Sequence, residues 1–349
     1  PVTPPRLPAM KILVIAPAWI GDAVAAQPLL MRLHEKYTNL QLDVFASPYI
    51  APLLRRMPQV QRIIDSPFAH GKFNLSARLR LGRQLARDGY DQVVVLPNSW
   101  KSALLPFFSG IKTRIGFVGE ARYGLLNVRH KLDTTALPQI AERYAQLAQA
   151  PGAPLPRPLP QPRLATSAET QRAALTALNL TADYAPVIFC PGAEYGPAKR
   201  WPSTYFADLA QQLHAQGHTV WLIGSPKDGT ECTEIAAGAP HCINLCGKTT
   251  LEQAIDLIAG AAFIVTNDSG LMHVSAALDR PMLALYGSSS PEFTPPLSAR
   301  AEILSLQLEC SPCFQRECPL GHFKCMKDML PRQVMARISA RLAQSAALI

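Results

Sequence analysis

Two consecutive α/β domains, each a parallel sheet wound with helices on both faces, are what this 349-residue chain predicts. At roughly 100 to 200 residues per domain, its length favours two domains over one. Short β-branched apolar runs alternate with amphipathic helical patterns, and the runs are continuous, as in strands covered on both faces. A stretch with six prolines in 14 residues, PGAPLPRPLPQPRL (151–164), separates two such series and reads as a stiff, extended linker.

In the first series KILVIAP (11–17) is a strand and AVAAQPLLMRLHEKY (23–37) one helix. LDVFAS and the helix IAPLLRRM follow, then VQRIID, the helix RLRLGRQLARDG, DQVVVLP, the helix SWKSALLPFFSG and the strand RIGFV. The second series runs PVIFCPG, TYFADLAQQLHAQG, TVWLIGS, DGTECTEIAAG, INLCGK, TLEQAIDLIAGA, FIVTND, SGLMHVSAALD and MLALYGS. The expected organisation is an upstream extension at 1–9, a first domain at 10–160, a second at 161–335 and a terminal helical segment at 336–349 that can pack on either domain. In doubly wound domains, ligands sit beyond the carboxyl ends of the strands, here in an expected cleft between the two domains.

A hydrophobic fraction of 48% supplies an ordinary core, and only 17% of residues are charged. Lysine and arginine still outnumber aspartate and glutamate by 34 to 25, a net charge of +9 that suits an anionic partner such as a phosphorylated substrate or an acidic membrane. Nucleic acid is disfavoured, because the cations are scattered and carry no recognition motif. No secretory signal and no apolar run of about 18 residues is present, so the expected location is the cytoplasm. In that reducing compartment Cys190, Cys232, Cys242 and Cys246 read as buried thiols.

Four strand-to-helix turns carry candidate chemistry. APAWIGDAVAA puts Asp22 in a first helical turn, as a favourable N-terminal acid or as a general base. CPGAEYGPAKRWP presents Lys199 and Arg200 on a constrained loop, either a phosphate clamp or a solvated basic loop. In GSPKDGTE, Lys227 or Asp228 can meet a ribose hydroxyl. TNDSGLMH places Asp268 and Ser269 as caps of a helix beginning near Gly270. The N–H groups of Ser269, Gly270 and Leu271 would then form an anion site, with His273 one turn on. No GxGxxG or GxxxxGK[ST] follows any strand, which argues against ordinary dinucleotide or P-loop binding and leaves a sugar nucleotide as the best fit.

PAWIGDAV (17–24), LPNSWKSALLPFFSGI (96–111), RYGLLN (122–127), CPGAEYGPAKRWP (190–202), TNDSGLMHVSAAL (266–278) and LYGSSSPEFTPPL (285–297) together resemble the ADP-heptose:lipopolysaccharide heptosyltransferases of glycosyltransferase family 9. The resemblance spans nearly the whole chain from Met10. It implies a GT-B fold, two Rossmann-like domains facing each other across a cleft, with the acceptor held mainly by the first and the nucleotide sugar by the second. It also implies an inverting, metal-independent transfer from ADP-L-glycero-D-manno-heptose to the lipid-anchored inner core of lipopolysaccharide, at the cytoplasmic face of the inner membrane and in peripheral contact with it. No cofactor is required on that reading.

By the resemblance, Asp22 is the catalytic base and Lys199 contacts the nucleotide and its phosphates. Asp268, Ser269, Gly270, Leu271 and His273 form the diphosphate and sugar segment, and Asp228 is the ribose-binding acid. Ser-Gly-Leu after Asp268, where the type I enzymes carry Thr-Gly-Leu, points to the type II branch acting on heptosyl-Kdo2-lipid A. The alternatives are the type I branch, which acts on Kdo2-lipid A, a GT-B-like nucleotide-sugar epimerase, and a non-enzymatic sugar-nucleotide binder. Of the first-domain cations Arg55, Arg56, Lys72, Arg78, Arg80, Arg83, Lys101 and Arg122, the preferred acceptor contacts are Lys101 and Arg122, which lie in the matching segments.

CSPCFQRECPLGHFKC spaces Cys310, Cys313, Cys318 and Cys325 as C-x2-C-x4-C-x6-C around His322. Four thiolates at such spacing can hold a structural zinc, pair as disulfides or stay reduced. The cluster lies outside the four turns, so a metal there would be structural.

Overall fold

The structure, a computed structural model, describes residues 10–68, 73–181 and 185–346. The expected 1–9 extension and Lys72 lie outside the described residues. The chain divides into two compact units between Pro162 and Arg163, inside the proline-rich stretch.

The first unit holds a six-stranded sheet of β1 (Lys11–Ile15), β2 (Gln41–Ala46), β3 (Arg62–Asp65), β4 (Gln92–Val95), β5 (Thr113–Phe117) and β6 (Val128–His130), in the order β3-β2-β1-β4-β5-β6. The second holds β7 (Val187–Cys190), β8 (Val220–Leu222), β9 (Ile243–Asn244), β10 (Phe263–Asn267), β11 (Met282–Tyr286) and β12 (Ala301–Ser305), in the order β12-β11-β10-β7-β8-β9. Every pairing is parallel. Numbered within its own unit, each sheet has the order 3-2-1-4-5-6. Strand order therefore reverses between β1 and β4 in the first unit and between β7 and β10 in the second, where a doubly wound sheet opens its ligand crevice.

Continuous apolar sequence gives strands buried on both faces: all four residues of β7 and all five of β10 and β11 are buried. Fully burying one such side chain contributes about 1.5–3 kcal/mol, enough for strands of four or five residues to be held by packing. Leu13, Ile15, Val93, Val95 and Leu105 centre one core of the first unit. Phe189, Phe206, Leu209, Val265, Leu283 and Leu285 centre that of the second. The terminal helix Pro331–Ala346 belongs to the second unit, where Val334 and Ile338 enter the same core.

The expected helix 23–37 is two helices, Ile20–Ala25 and Gln27–Lys36. Pro28 has no N–H to donate, so it sits at the start of the second helix rather than within a longer one. The edge strands β6 and β12 escape the sequence reading because they are only partly buried and carry no apolar run. Cys232 and Cys246, expected as separate thiols, are joined in a disulfide. The helix Gly229–Gly238 and the turn after β9 bring their Cα atoms to 6.4 Å, a proximity that residues 14 apart in sequence do not disclose.

Candidate active site

In the first unit, the segment after β1 turns directly into the helix Ile20–Ala25, which carries half-buried Asp22 in its first turn. Helix N-terminal dipoles favour an ionised carboxylate there. Asp22 also acts on Tyr144 of the neighbouring helix Ile140–Gln146: burial first, and then the Asp22 charge, push that phenol far above its ordinary range, so it stays protonated. Lys101 lies in the first turn of the helix Trp100–Phe108, after β4, and is half-buried.

Arg122 does not meet the expectation of an acceptor contact. It is 1% exposed and donates to Pro97 O at 2.6 Å, Phe117 O at 2.5 Å and Asn98 Oδ1 at 3.2 Å, stitching together the segments that leave β4 and β5. Burial lowers its pKa, and its terminal nitrogens are occupied by the chain itself. Arg78 is likewise internal, donating to Phe73 O at 2.8 Å and lying over the Phe68 ring at 4.1 Å. Arg80 and Arg83 are exposed on the helix Leu75–Leu85.

In the second unit, the segments after β7 and β10 meet. Lys199 Nζ lies 2.5 Å from Asp268 Oδ2, the two side chains 17% and 5% exposed. The ammonium also sits 5.1 Å from the centre of the Tyr195 ring. Asn267 fastens the two segments, accepting from Trp201 N at 3.2 Å and donating to Pro191 O at 2.6 Å. The Trp201 indole donates to Met329 O at 2.7 Å, which seats the end of the loop on the core.

Ser269 precedes the helix Gly270–Ala277 in extended conformation, but its hydroxyl makes no cap bond, contrary to the expected capping role. Ser269, Gly270 and Leu271 are all half-buried. The first-turn N–H groups thus have no side-chain cap, at a positive helix end beside an ammonium, which suits an anion. His273 is 7% exposed. Burial lowers its pKa, with Asp268 opposing and Lys199 assisting, so the imidazole is neutral and lies within electrostatic reach of the Lys199–Asp268 pair.

Two further expectations change. Arg200 is ion-paired with Glu231 and donates to Ala193 O, so it does not join Lys199 in a two-cation clamp. Asp228 is buried and caps its own turn, accepting from Ser225 N and Ser225 Oγ at 2.8 Å each. Its carboxylate lies so close to Gly192 that a Cβ at that glycine would come within 2.3 Å of Asp228 Cγ. Asp228 thus joins the β7 and β8 turns, with one carboxylate oxygen already engaged by Ser225, and Lys227 pairs with Glu194.

The thiols of Cys310, Cys313, Cys318 and Cys325 are unbridged, and among the described residues no three His, Cys, Asp or Glu side chains form a group able to hold a metal ion. Cys318 Sγ accepts from Phe323 N at 3.4 Å, which with neighbouring N–H groups lowers its pKa, while burial first, and then the other three sulfurs, raise that of Cys325.

This segment has a bracing role that the sequence reading missed. Tyr195 Oη donates to Phe314 O at 2.6 Å, Ala198 N to Arg316 O at 3.0 Å and Phe314 N to Ser288 O at 2.7 Å, so it supports both the Lys199 loop and the loop after β11. Asn267 was missed too; its one sequence signal is an amide side chain at the end of a buried strand.

The sequence profile of glycosyltransferase family 9 (heptosyltransferase) matches residues 78–324. The lipopolysaccharide heptosyltransferase 2 of Escherichia coli K12 is 44% identical over 348 residues, covering 97% of this chain and all of the relative. The chain belongs to glycosyltransferase family 9. A lipooligosaccharide heptosyltransferase 2 from Haemophilus influenzae is 41% identical over 348 residues, covering 96% of this chain and all of that relative. The solved structure of E. coli ADP-heptose lipopolysaccharide heptosyltransferase II superposes with a TM-score of 0.88 at 43% identity, covering 97% of this chain and all of that one. Membership makes the chain a glycosyltransferase and its two Rossmann-like units those of the GT-B fold.

Proposed function

We propose that this family 9 glycosyltransferase moves L-glycero-D-manno-heptose from ADP-heptose onto the first heptose of the lipopolysaccharide inner core, inverting the anomeric carbon. The observation that carries the reading is the Lys199–Asp268 pair beside the uncapped start of the helix Gly270–Ala277, at the reversal point of the second sheet. It is supported by relatives named heptosyltransferase 2 at 44% and 41% identity over their whole lengths.

The acceptor hydroxyl oxygen attacks C1 of the donor sugar while its proton passes to the Asp22 carboxylate. The C1–O bond to the β-phosphate breaks, and the electron pair leaves with ADP. Charge grows on the diphosphate along this path, so Lys199 and the N–H groups of the helix start bind the transition state more tightly than the ground state. A fixed ammonium and fixed dipoles meet that charge without a metal cofactor, and activity is expected to persist in EDTA. Lys101 is proposed to meet the acceptor.

The lipid-anchored acceptor places the reaction at the cytoplasmic face of the inner membrane, where a net charge of +9 favours acidic headgroups. Among the described residues no helix is long and apolar enough to cross a membrane, so the contact proposed is peripheral. Incubation with ADP-heptose and either Kdo2-lipid A or its monoheptosylated form tests the reading. ADP release with the monoheptosylated acceptor is expected; release with Kdo2-lipid A alone would transfer the chain to the type I branch.

A further inference from the structure

The described chain buries five hydroxyl-bearing serine or threonine residues: Ser109, Thr266, Ser275, Ser288 and Ser289. Three are satisfied within their own segments. Ser109 Oγ donates to Pro106 O at 2.7 Å, Thr266 Oγ1 to Asn267 O at 2.8 Å and Ser275 Oγ to Leu271 O at 2.8 Å. Ser288 Oγ and Ser289 Oγ, 1% and 5% exposed, have no hydrogen-bond partner. A hydroxyl hydrogen rotates to find an acceptor, so an unpaired buried hydroxyl has none within reach. Folded chains rarely leave such groups, and each case asks for an explanation.

Both serines follow directly on β11, the neighbour of β10, with Asn267 level with Leu285 in the register. The segment leaving β11 therefore emerges beside the one that carries Asp268 to Leu271. Tyr286 confirms the proximity: its hydroxyl lies 3.3 Å from Met272 Sδ, in the first turn of the helix Gly270–Ala277.

The backbone of this segment is pinned from behind. Ser311 Oγ donates to Gly287 O, and Phe314 N to Ser288 O at 2.7 Å. Gly287 is packed so closely that a Cβ there would lie 2.4 Å from Met326 Sδ. The third serine shows the ordinary alternative, since Ser290 Oγ accepts from Glu292 N at 3.1 Å in a local turn. The two unpaired hydroxyls thus sit on a braced backbone, in the segment that leaves the sheet beside the one carrying the proposed diphosphate site.

We infer that Ser288 and Ser289 are specificity-determining contacts of the donor, hydrogen-bonding hydroxyl groups of the transferred sugar. The inference rests on the donor reading above. Phosphate oxygens are met by the Lys199 ammonium and backbone N–H groups, which only donate. A polyol needs partners that both donate and accept, and a serine hydroxyl does both. A site whose buried polar groups stay unpaired until the sugar arrives also discriminates against donors lacking that hydroxyl.

The test uses the full-length chain with Ser288→Ala, Ser289→Ala and the double substitution. Calorimetric titration gives the Kd of ADP and of ADP-heptose, and steady-state assays with the monoheptosylated acceptor give kcat/KM. The double variant is expected to keep its ADP Kd within about twofold of the parent. It should lose about tenfold or more in ADP-heptose affinity and in kcat/KM, the scale of one or two lost hydrogen bonds. Its Tm without ligand should not fall, because no bond in the free protein is removed. An unchanged ratio of ADP to ADP-heptose affinity would overturn the inference, and so would an equal loss for both, which would assign the serines to the nucleotide. Should either alanine variant fail to fold, Ser→Cys variants, near-isosteric but weak in hydrogen bonding, are read by the same ratio. That ratio needs no acceptor, so a parent chain that binds ADP-heptose without transferring it refutes the transferase reading and leaves this result standing.

Discussion

Asp22 and Lys199 are the residues on which the proposed chemistry turns, and they fail in different ways when replaced. Asp22→Asn keeps size and polarity but cannot take a proton, so kcat should fall by about 10²- to 10⁴-fold with the ADP-heptose Kd nearly unchanged. Single-turnover rates at saturating donor measure this, and wild-type turnover would remove the base assignment. Lys199→Ala removes the ammonium that lies 2.5 Å from Asp268 and leaves that mostly buried carboxylate without its ion-pair partner. Charge-assisted bonds of this kind are worth about 1.5–3 kcal/mol, so ADP affinity should drop about 10- to 100-fold. An ADP Kd equal to the parent's would mean that Lys199 serves only to neutralise Asp268.

Among the elements, the segments leaving β4 and β5 depend on Arg122 and those leaving β7 and β10 on Asn267. Arg122→Met leaves the Pro97 and Phe117 carbonyls buried without their donor, and should destabilise the chain by about 2–4 kcal/mol in urea unfolding. Loss of acceptor affinity at full stability would instead return Arg122 to the acceptor site. His130, at the end of β6, and His273, in the helix Gly270–Ala277, are both lowered below the ordinary histidine pKa of 6.5 by burial. Below about pH 6.5 the unfolded chain therefore binds more protons than the folded one. Stability should be full above that pH and decline as pH falls toward the lowered values. Thermal unfolding at pH 7.5, 6.5 and 5.5 checks it, and a Tm that holds or rises on acidification would contradict the neutral, buried imidazoles. His273→Gln should flatten part of the slope.

At the scale of the whole molecule, a charge of +9 on a chain with only 17% charged residues makes association with acidic surfaces sensitive to salt. Cosedimentation with anionic vesicles should weaken steadily between about 50 and 300 mM salt, as the screening length shrinks below about 10 Å. No binding even at the lowest salt would refute the peripheral contact. The fold class was legible in the sequence because doubly buried parallel strands must be apolar throughout, and the proline-rich stretch could join neither sheet. The candidate site was legible in part: Lys199, Asp268 and the Ser269–Leu271 turn are brought together, each sitting where an apolar run stops at a glycine or a polar residue. Arg200, Asp228 and Arg122 read as ligand contacts because sequence shows a charge but not its partner, and their partners lie 31, 3 and 25 residues away. The unpaired hydroxyls of Ser288 and Ser289 stayed invisible for the same reason. Sequence by itself determined two Rossmann-like units, the family and the turns where candidate residues gather, because periodicity and local spacing record burial and backbone geometry. Only the tertiary structure decided which charges are already neutralised and which polar groups remain unsatisfied, because pairing is a matter of distance in space, and chain order does not encode it.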